Sequence, residues 1–105
     1  MLETRVCVIG AGPSGIAALK NLLDLNIAVQ CYDLNDQVGG NWIFSEKTSH
    51  SSVFETTHII SSKLLSQYED YTWDDHYKNT GTIVSNYPSH QELKIIFRLM
   101  LHILV

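Results

Sequence analysis

Apolar and polar positions change rhythm several times along this chain, and each change marks an element. Arg5-Val6-Cys7-Val8-Ile9 is an apolar run that breaks at Gly10, which predicts a first strand over about 5–9. From Ser14 to Leu25 the apolar residues Ile16, Leu19, Leu22 and Leu23 recur at helical spacing. They predict a helix with Lys20, Asn21 and Asp24 on its wet side. Asn26 suits the left-handed conformation that ends a helix. A second strand follows over about Ile27 to Tyr32 and stops at Asp33. Strand, helix and strand in this order predict a right-handed β-α-β unit with two adjacent parallel strands, an α/β fold with a Rossmann-like β-α-β unit.

The rest of the chain is less regular. Residues 45–52 are polar and loop-like, and Phe54, Ile59, Ile60, Leu64 and Leu65 are scattered apolar anchors. Residues 68–77, Tyr-Glu-Asp-Tyr-Thr-Trp-Asp-Asp-His-Tyr, predict a structured surface loop with aromatics packed inward and acids solvated. In Pro88-Ser89-His90-Gln91-Glu92, Ser89 followed three residues later by Glu92 fits a capping box and predicts a helix start. From Leu93 to Val105 only Lys94, Arg98 and His102 are polar, four apart, and so form one narrow stripe on an otherwise apolar helix. That pattern implies a missing partner surface, a self-association face or a tail foreign to the fold; a membrane-surface helix is a lesser alternative. No internal repeat or low-complexity linker interrupts the chain.

Composition narrows the function classes. A chain of 105 residues makes one domain at most, and 45% hydrophobic residues suffice for a core. The net charge of −4 argues against nucleic acid or an anionic membrane as partner. No run of 18 apolar residues is present, and the short apolar N-terminal stretch meets a glycine loop where a cleavage site would fall, so a cytoplasmic location is expected. Cys7 and Cys31 lie inside the expected strands and are read as buried, reduced core thiols. The five histidines show no metal-ligand spacing, so no metal is expected.

The candidate chemistry sits where the first strand meets its helix. Gly10-Ala11-Gly12-Pro13-Ser14-Gly15 is a G-x-G-x-x-G turn in the right context. Gly10 suits the tight turn, Gly12 lets backbone approach a pyrophosphate, and Gly15 lets the helix pack on the strand. The helix N-terminus adds free N–H groups and the positive end of its dipole. Asp33 lies 18 residues after Gly15 and suits a ribose diol, while its charge disfavours a 2′-phosphate there; Asp36 is the rival acid. Gly39-Gly40-Asn41-Trp42 then pairs two glycines with a tryptophan that is either a ring for stacking on a ligand or a core residue behind a tight turn.

Taken in order, Val8 to Gly15, Asp33, Gly39-Gly40-Asn41-Trp42, His58-Ile59-Ile60-Ser61-Ser62-Lys63, Tyr68-Glu69-Asp70-Tyr71 and Tyr87-Pro88-Ser89-His90 resemble the flavin-containing monooxygenases, in spacing the bacterial-type members. The resemblance runs from residue 5 to about 93. It implies the N-terminal part of an FAD domain over 1–105, with the rest of that domain and an inserted NADP(H) domain absent, and an apolar helix over 93–105. It also implies an enzyme of the N,N-dimethylaniline monooxygenase type, which uses FAD, NADPH and dioxygen to oxygenate nitrogen or sulfur centres of small molecules. On this reading the short chain alone is inactive. Gly10, Ala11, Gly12, Pro13 and Ser14 would hold the FAD pyrophosphate, with Gly15 behind them. Asp33 would hold the adenosine ribose, where the family more often has Glu. Gly40, Asn41 and Trp42 would also contact FAD, and Ser61 falls in a further flavin-facing stretch. Many members place an Asn just before the position of Ser61; here Ile60 stands there and cannot donate a hydrogen bond, a role His58 could take. Two alternatives stay open: a Baeyer–Villiger-type or other FAD/NAD(P) oxidoreductase, and a non-enzymatic nucleotide-binding fragment that pairs through its C-terminal helix.

Overall fold

The computed structural model describes residues 3–46 and 52–104, with side chains through residue 100. Strand β1 (Arg5–Ile9) and strand β2 (Ala28–Tyr32) pair in parallel, with Arg5 opposite Ala28 and Ile9 opposite Tyr32. Helix α1 (Pro13–Asp24) connects them, and Asn26 takes the expected left-handed conformation at φ 57° just after it. The β-α-β unit is therefore formed as its apolar rhythm requires. Of the loop expected at 45–52, residues 47–51 lie outside the described residues.

Helix α1 covers one face of the sheet. Val6, Val8, Val29 and Cys31 alternate toward partial burial, whereas Arg5, Cys7, Ile9, Ala28, Gln30 and Tyr32 are exposed. This corrects the reading of both cysteines as core thiols. Cys7 is exposed because it lies on the face α1 does not cover, and Cys31 is only half-buried. Partial burial pushes the Cys31 thiol up from its ordinary value, with a further push from the nearby Asp33 charge and from Cys7.

The main core lies between α1 and the second half of the chain. Ile16 of α1 meets Ile59, Tyr71, Trp73, Val84, Leu93, Ile96, Phe97 and Met100, with Val38, Trp42, Tyr68 and Leu99 packed against them. Helix α3 (His90–Leu104) supplies Leu93, Ile96, Phe97 and Met100 at helical spacing, all buried. That face therefore has its partner inside the chain, which corrects the expectation of an unpartnered apolar helix over its first half. Its start is as read: the Ser89 hydroxyl accepts from the Glu92 N–H at 3.2 Å, and Glu92 accepts from the Ser89 N–H at 3.1 Å.

The surface-loop reading of 68–77 is corrected as well. Helix α2 (Trp73–Thr80) begins inside that segment, started by a capping box between Thr72 and Asp75 and ended at Gly81 in the left-handed conformation. Tyr71 and Trp73 do point inward, and the Trp73 indole N–H donates to the Lys63 carbonyl at 2.8 Å. Tyr77, Glu69 and Asp74 are exposed, whereas Asp70 and Asp75 are engaged. Asp75 closes the cap, and Asp70 joins Asp24 in clasping Lys20. Lys20 is thus not a wet-side residue: its side chain is only 17% exposed, and it ties α1 to the segment before α2.

Candidate functional site

The turn between β1 and α1 is held from several directions. Gly10 has φ 105°, which glycine tolerates and other residues rarely adopt. Its N–H donates to the Tyr32 carbonyl at 2.7 Å, fixing the end of β1 against the end of β2. The Ala11 N–H donates to a carboxylate oxygen of Asp33 at 2.7 Å, and the other oxygen accepts from the Asn35 N–H at 2.7 Å. The Gly39 N–H donates to the Ala11 carbonyl at 2.9 Å. The Tyr68 hydroxyl donates to the Pro13 carbonyl at 3.0 Å.

Each glycine of the turn has a distinct steric reason. A Cβ at Gly10 would meet nothing within 4 Å, so the turn opens onto free space there. A Cβ at Gly15 would fall 1.8 Å from the Gly10 carbonyl oxygen, so the helix can approach the strand only with hydrogen at that position. A Cβ at Gly12 would lie 3.4 Å from the Gly40 Cα, and one at Gly40 would lie 2.8 Å from the Gly12 Cα. The two glycine motifs therefore pack backbone against backbone. Gly12 is expected from its motif to admit a ligand; in the fold its bare Cα also admits the 39–42 segment, which forms a short 3-10 turn at Gly40–Trp42.

The helix end carries no side-chain cap. Gly12 caps α1 without a side-chain hydrogen bond, and Pro13 at the first helical position has no N–H to satisfy. First-turn amides of a helix have no intrahelical partner and carry the positive end of the dipole. Beside this turn lies a recess of about 330 Å³ lined by Ile9, Gly10, Tyr32, Asp33, Leu34, Asn35, Gly40 and Asn41. Asp33 and Asn41 share it with Gly10. Asp36 instead lines a separate recess of about 250 Å³, which Asp33 also borders.

A second, apolar recess of about 340 Å³ is lined by Pro13 and, among others, by Trp42, Ile59, Ile60, Ser61, Tyr68 and Phe97. Trp42 packs against the core, as one of its readings expects, and also lines this recess. The Ser61 hydroxyl lies 2.9 Å from that of Ser66. Ile60 is fully exposed. His58 is exposed and forms an antiparallel bridge with Ser89; its Nδ1 lies 2.8 Å from the Tyr87 carbonyl. A carbonyl only accepts, so Nδ1 carries the proton and Nε2 is left as an acceptor in the neutral ring. His58 is not among the residues that line the recess of Ile60 and Ser61.

Tyr68 is a site-adjacent residue whose stretch the sequence marks but to which it assigns no role at the turn. Burial pushes its phenol up to about 12, so the hydroxyl stays a donor across the physiological range. No local pattern marks that role, because its partner lies 55 residues earlier in the chain. Among the described residues no cluster of three His, Cys, Asp or Glu is arranged to hold a metal ion, and no helix is long and apolar enough to cross a membrane.

Comparison with known proteins places this geometry. A family model described as flavin-binding monooxygenase-like matches residues 3–96. Flavin-containing monooxygenase 3 of Rattus norvegicus is 34% identical over 80 residues, which cover 74% of this chain and 15% of that protein. Putative dimethylaniline monooxygenase [N-oxide-forming] 6 of Homo sapiens is 35% identical over 80 residues, again 74% of this chain and 15% of the relative. Among solved structures, S-allyl-L-cysteine S-oxygenase from Allium sativum superposes with a TM-score of 0.80 at 17% identity, covering 98% of this chain and 26% of that one. That likeness establishes the fold. The chain spans about 15% of the length of the curated relatives it matches.

Proposed function

Because this chain belongs to the flavin-binding monooxygenase-like family, we propose that it is the FAD-binding segment of a flavin-dependent monooxygenase and that the β1–α1 turn is its diphosphate site. The observation that carries this reading is the conjunction at Gly10. The turn opens onto free space, the adjoining helix end has no side-chain cap, and Asp33 stands in the same recess with its carboxylate fixed by the Ala11 amide. These residues fit FAD: amides for its pyrophosphate, and a carboxylate, a hydrogen-bond acceptor, at the place of its ribose diol.

The roles follow by position. Gly10, Ala11, Gly12, Pro13 and Ser14 form the backbone cradle of the pyrophosphate, and Gly15 lets the helix reach it. Asp33 accepts from the adenosine ribose. Gly40 and Asn41, which line the first recess, and Trp42 and Ser61, which line the second, border the path from the turn toward the flavin end of the cofactor. In this family the flavin, once reduced by NADPH, supplies the electrons and the dioxygen activation that place one oxygen atom on a substrate. The protein's part is to bind, orient and exclude water. Nitrogen and sulfur centres of small molecules are the proposed targets, in keeping with a relative named for forming N-oxides and a structural neighbour named as an S-oxygenase. Oxygenation is proposed for the whole protein, with its NADP(H) site, and not for these 105 residues alone. Pairing through α3 is disfavoured as the main role, because Leu93, Ile96, Phe97 and Met100 are spent on the chain's own core.

The test is direct. The purified chain, incubated with FAD and desalted, is expected to keep a flavin absorption band near one equivalent, and to show no NADPH-dependent product formation. A cooperatively folded chain that retains no flavin and does not quench flavin fluorescence on titration would refute the assignment of the turn.

A further inference from the structure

Most ties that hold the β1–α1 turn come from nearby in the chain: Tyr32, Asp33 and Gly39 all precede residue 43. The Tyr68 hydroxyl is different. It reaches the Pro13 carbonyl from the other half of the fold, at 3.0 Å, and a carbonyl can only accept, so the hydroxyl donates. Pro13 is the first residue of α1, so this bond grips the turn of helix whose amides face the proposed diphosphate. The ring behind the hydroxyl is itself fixed. It stands edge-on to Phe97 at 6.2 Å and 73°, and Phe97 is buried in the core that α3 builds. A continuous path therefore runs from α3 through Phe97 and Tyr68 to the first turn of α1.

We infer that Tyr68 is a positioning residue of the cofactor site: its hydroxyl sets the seat of the first turn of α1 on the α3 layer and so aims the turn's amides at the diphosphate. The inference rests on the reading of the turn as an FAD site and adds a residue from outside the fingerprint to it. Tyr68 touches no reacting atom on this account and acts through Pro13. A shift of well under one ångström at that carbonyl moves the neighbouring amides of Ser14 and Gly15 with it, because the helix is rigid over one turn. A diphosphate held by several such amides is sensitive to that displacement.

The test is Tyr68→Phe in the full chain, which removes one oxygen and keeps the ring against Phe97 and the apolar recess. Binding is measured by titration with FAD and, separately, with ADP, alongside thermal melts of both proteins. The expected result is a dissociation constant raised about three- to tenfold for both ligands, from the loss of one hydrogen bond acting on the site. The melt is expected to move by only a few degrees. Unchanged affinity in the variant, whether or not its melt falls, overturns the inference and leaves the site reading standing. A loss confined to FAD, with ADP unaffected, also overturns it, because Tyr68 would then act on the flavin end and not through the turn. A wild-type chain that binds neither ligand overturns the site reading itself, and this inference with it.

Discussion

Gly15→Ala is the substitution that tests most sharply how the turn is built. The added methyl would sit 1.8 Å from the Gly10 carbonyl oxygen and 2.9 Å from its carbonyl carbon, where real Cβ contacts essentially never fall below 3.0 Å. The obstacle is backbone, so no rotamer change relieves it; helix and strand must part by more than 1 Å at their closest point. That opening works against the bond from the Gly10 N–H to Tyr32 and the one from the Ala11 N–H to Asp33. Overpacking of this kind costs typically about 1–3 kcal/mol, and a backbone clash belongs at the upper end. Alanine returns about 1 kcal/mol through its better helix propensity, leaving a net loss of about 2 kcal/mol. In a domain of this size that lowers the melting temperature by about 8–16 °C. Gly12→Ala is the control. Its methyl would meet the Gly40 Cα at 3.4 Å, an ordinary contact, at φ −80°. Its cost is that of a poorer helix cap, about 0.5–1 kcal/mol. The assay is thermal and urea denaturation followed by far-UV circular dichroism. Two variants that melt together, or a Gly15→Ala chain within about 3 °C of the wild type, would show that the close approach of α1 to β1 is not what the fold depends on.

Two further predictions follow from charge and exposure. Hydrogen bonds from the Ser89 and Ser85 backbone and hydroxyl groups outweigh the burial that pushes Glu92 up, and hold its carboxyl below the ordinary value; hydrogen bonds from Thr72 hold Asp75 low. A carboxyl lowered by folding stabilises above its unfolded pKa and loses that contribution as pH falls through the folded one. The melting temperature should therefore fall as pH drops below about 4, and a Glu92→Gln, Asp75→Asn chain should melt lower at pH 7 with a flatter acid limb. An unchanged acid limb in that variant would count against the two caps. Under native conditions a thiol reagent should label the exposed Cys7 well before the half-buried Cys31, whose raised thiol is also less reactive; peptide mass mapping of a brief reaction decides it, and equal labelling would contradict the one-sided sheet.

What could be read from sequence alone was what depends on short-range chemistry. The apolar rhythm of 5–32 located both strands and α1 to within a residue or two, and Ser89 with Glu92 marked the start of α3. The segment 68–77 was misread because its acids and aromatics look like a solvated loop; the box that starts α2 uses Asp75 where Glu or Gln is the stronger signal. The apolar α3 looked orphaned because its partners, Ile16, Ile59, Tyr71 and Trp73, are brought to it only by the tertiary fold. The cysteines read as core thiols because cysteine is among the residues most often buried, whereas here α1 covers only one face of the strands that carry them. In the site, Gly10, Gly15 and Asp33 were legible from spacing. Tyr68 was not, since a hydroxyl 55 residues from its acceptor leaves no local trace.

The contact between Gly12 and Gly40 changes what the two glycine motifs mean. Read separately, one is a phosphate turn and the other a tight bend before a tryptophan. In the fold the second backbone can dock on the first only without a side chain at Gly40, because a Cβ there would come within 2.8 Å of the Gly12 Cα, whereas a Cβ at Gly12 would meet the Gly40 Cα at an ordinary 3.4 Å. The bond from the Gly39 N–H to the Ala11 carbonyl then locks the second motif onto the first. Trp42 is carried by this docking to the apolar recess, which Pro13 also lines. One backbone joint thus borders both recesses, since Gly40 and Asn41 line the first and Trp42 lines the second. Tyr68 adds the tie from the α3 layer at Pro13. The joint, more than any single side chain, defines the site, and that is why a ligand should sense changes at Gly40 or Tyr68 as readily as at Gly12.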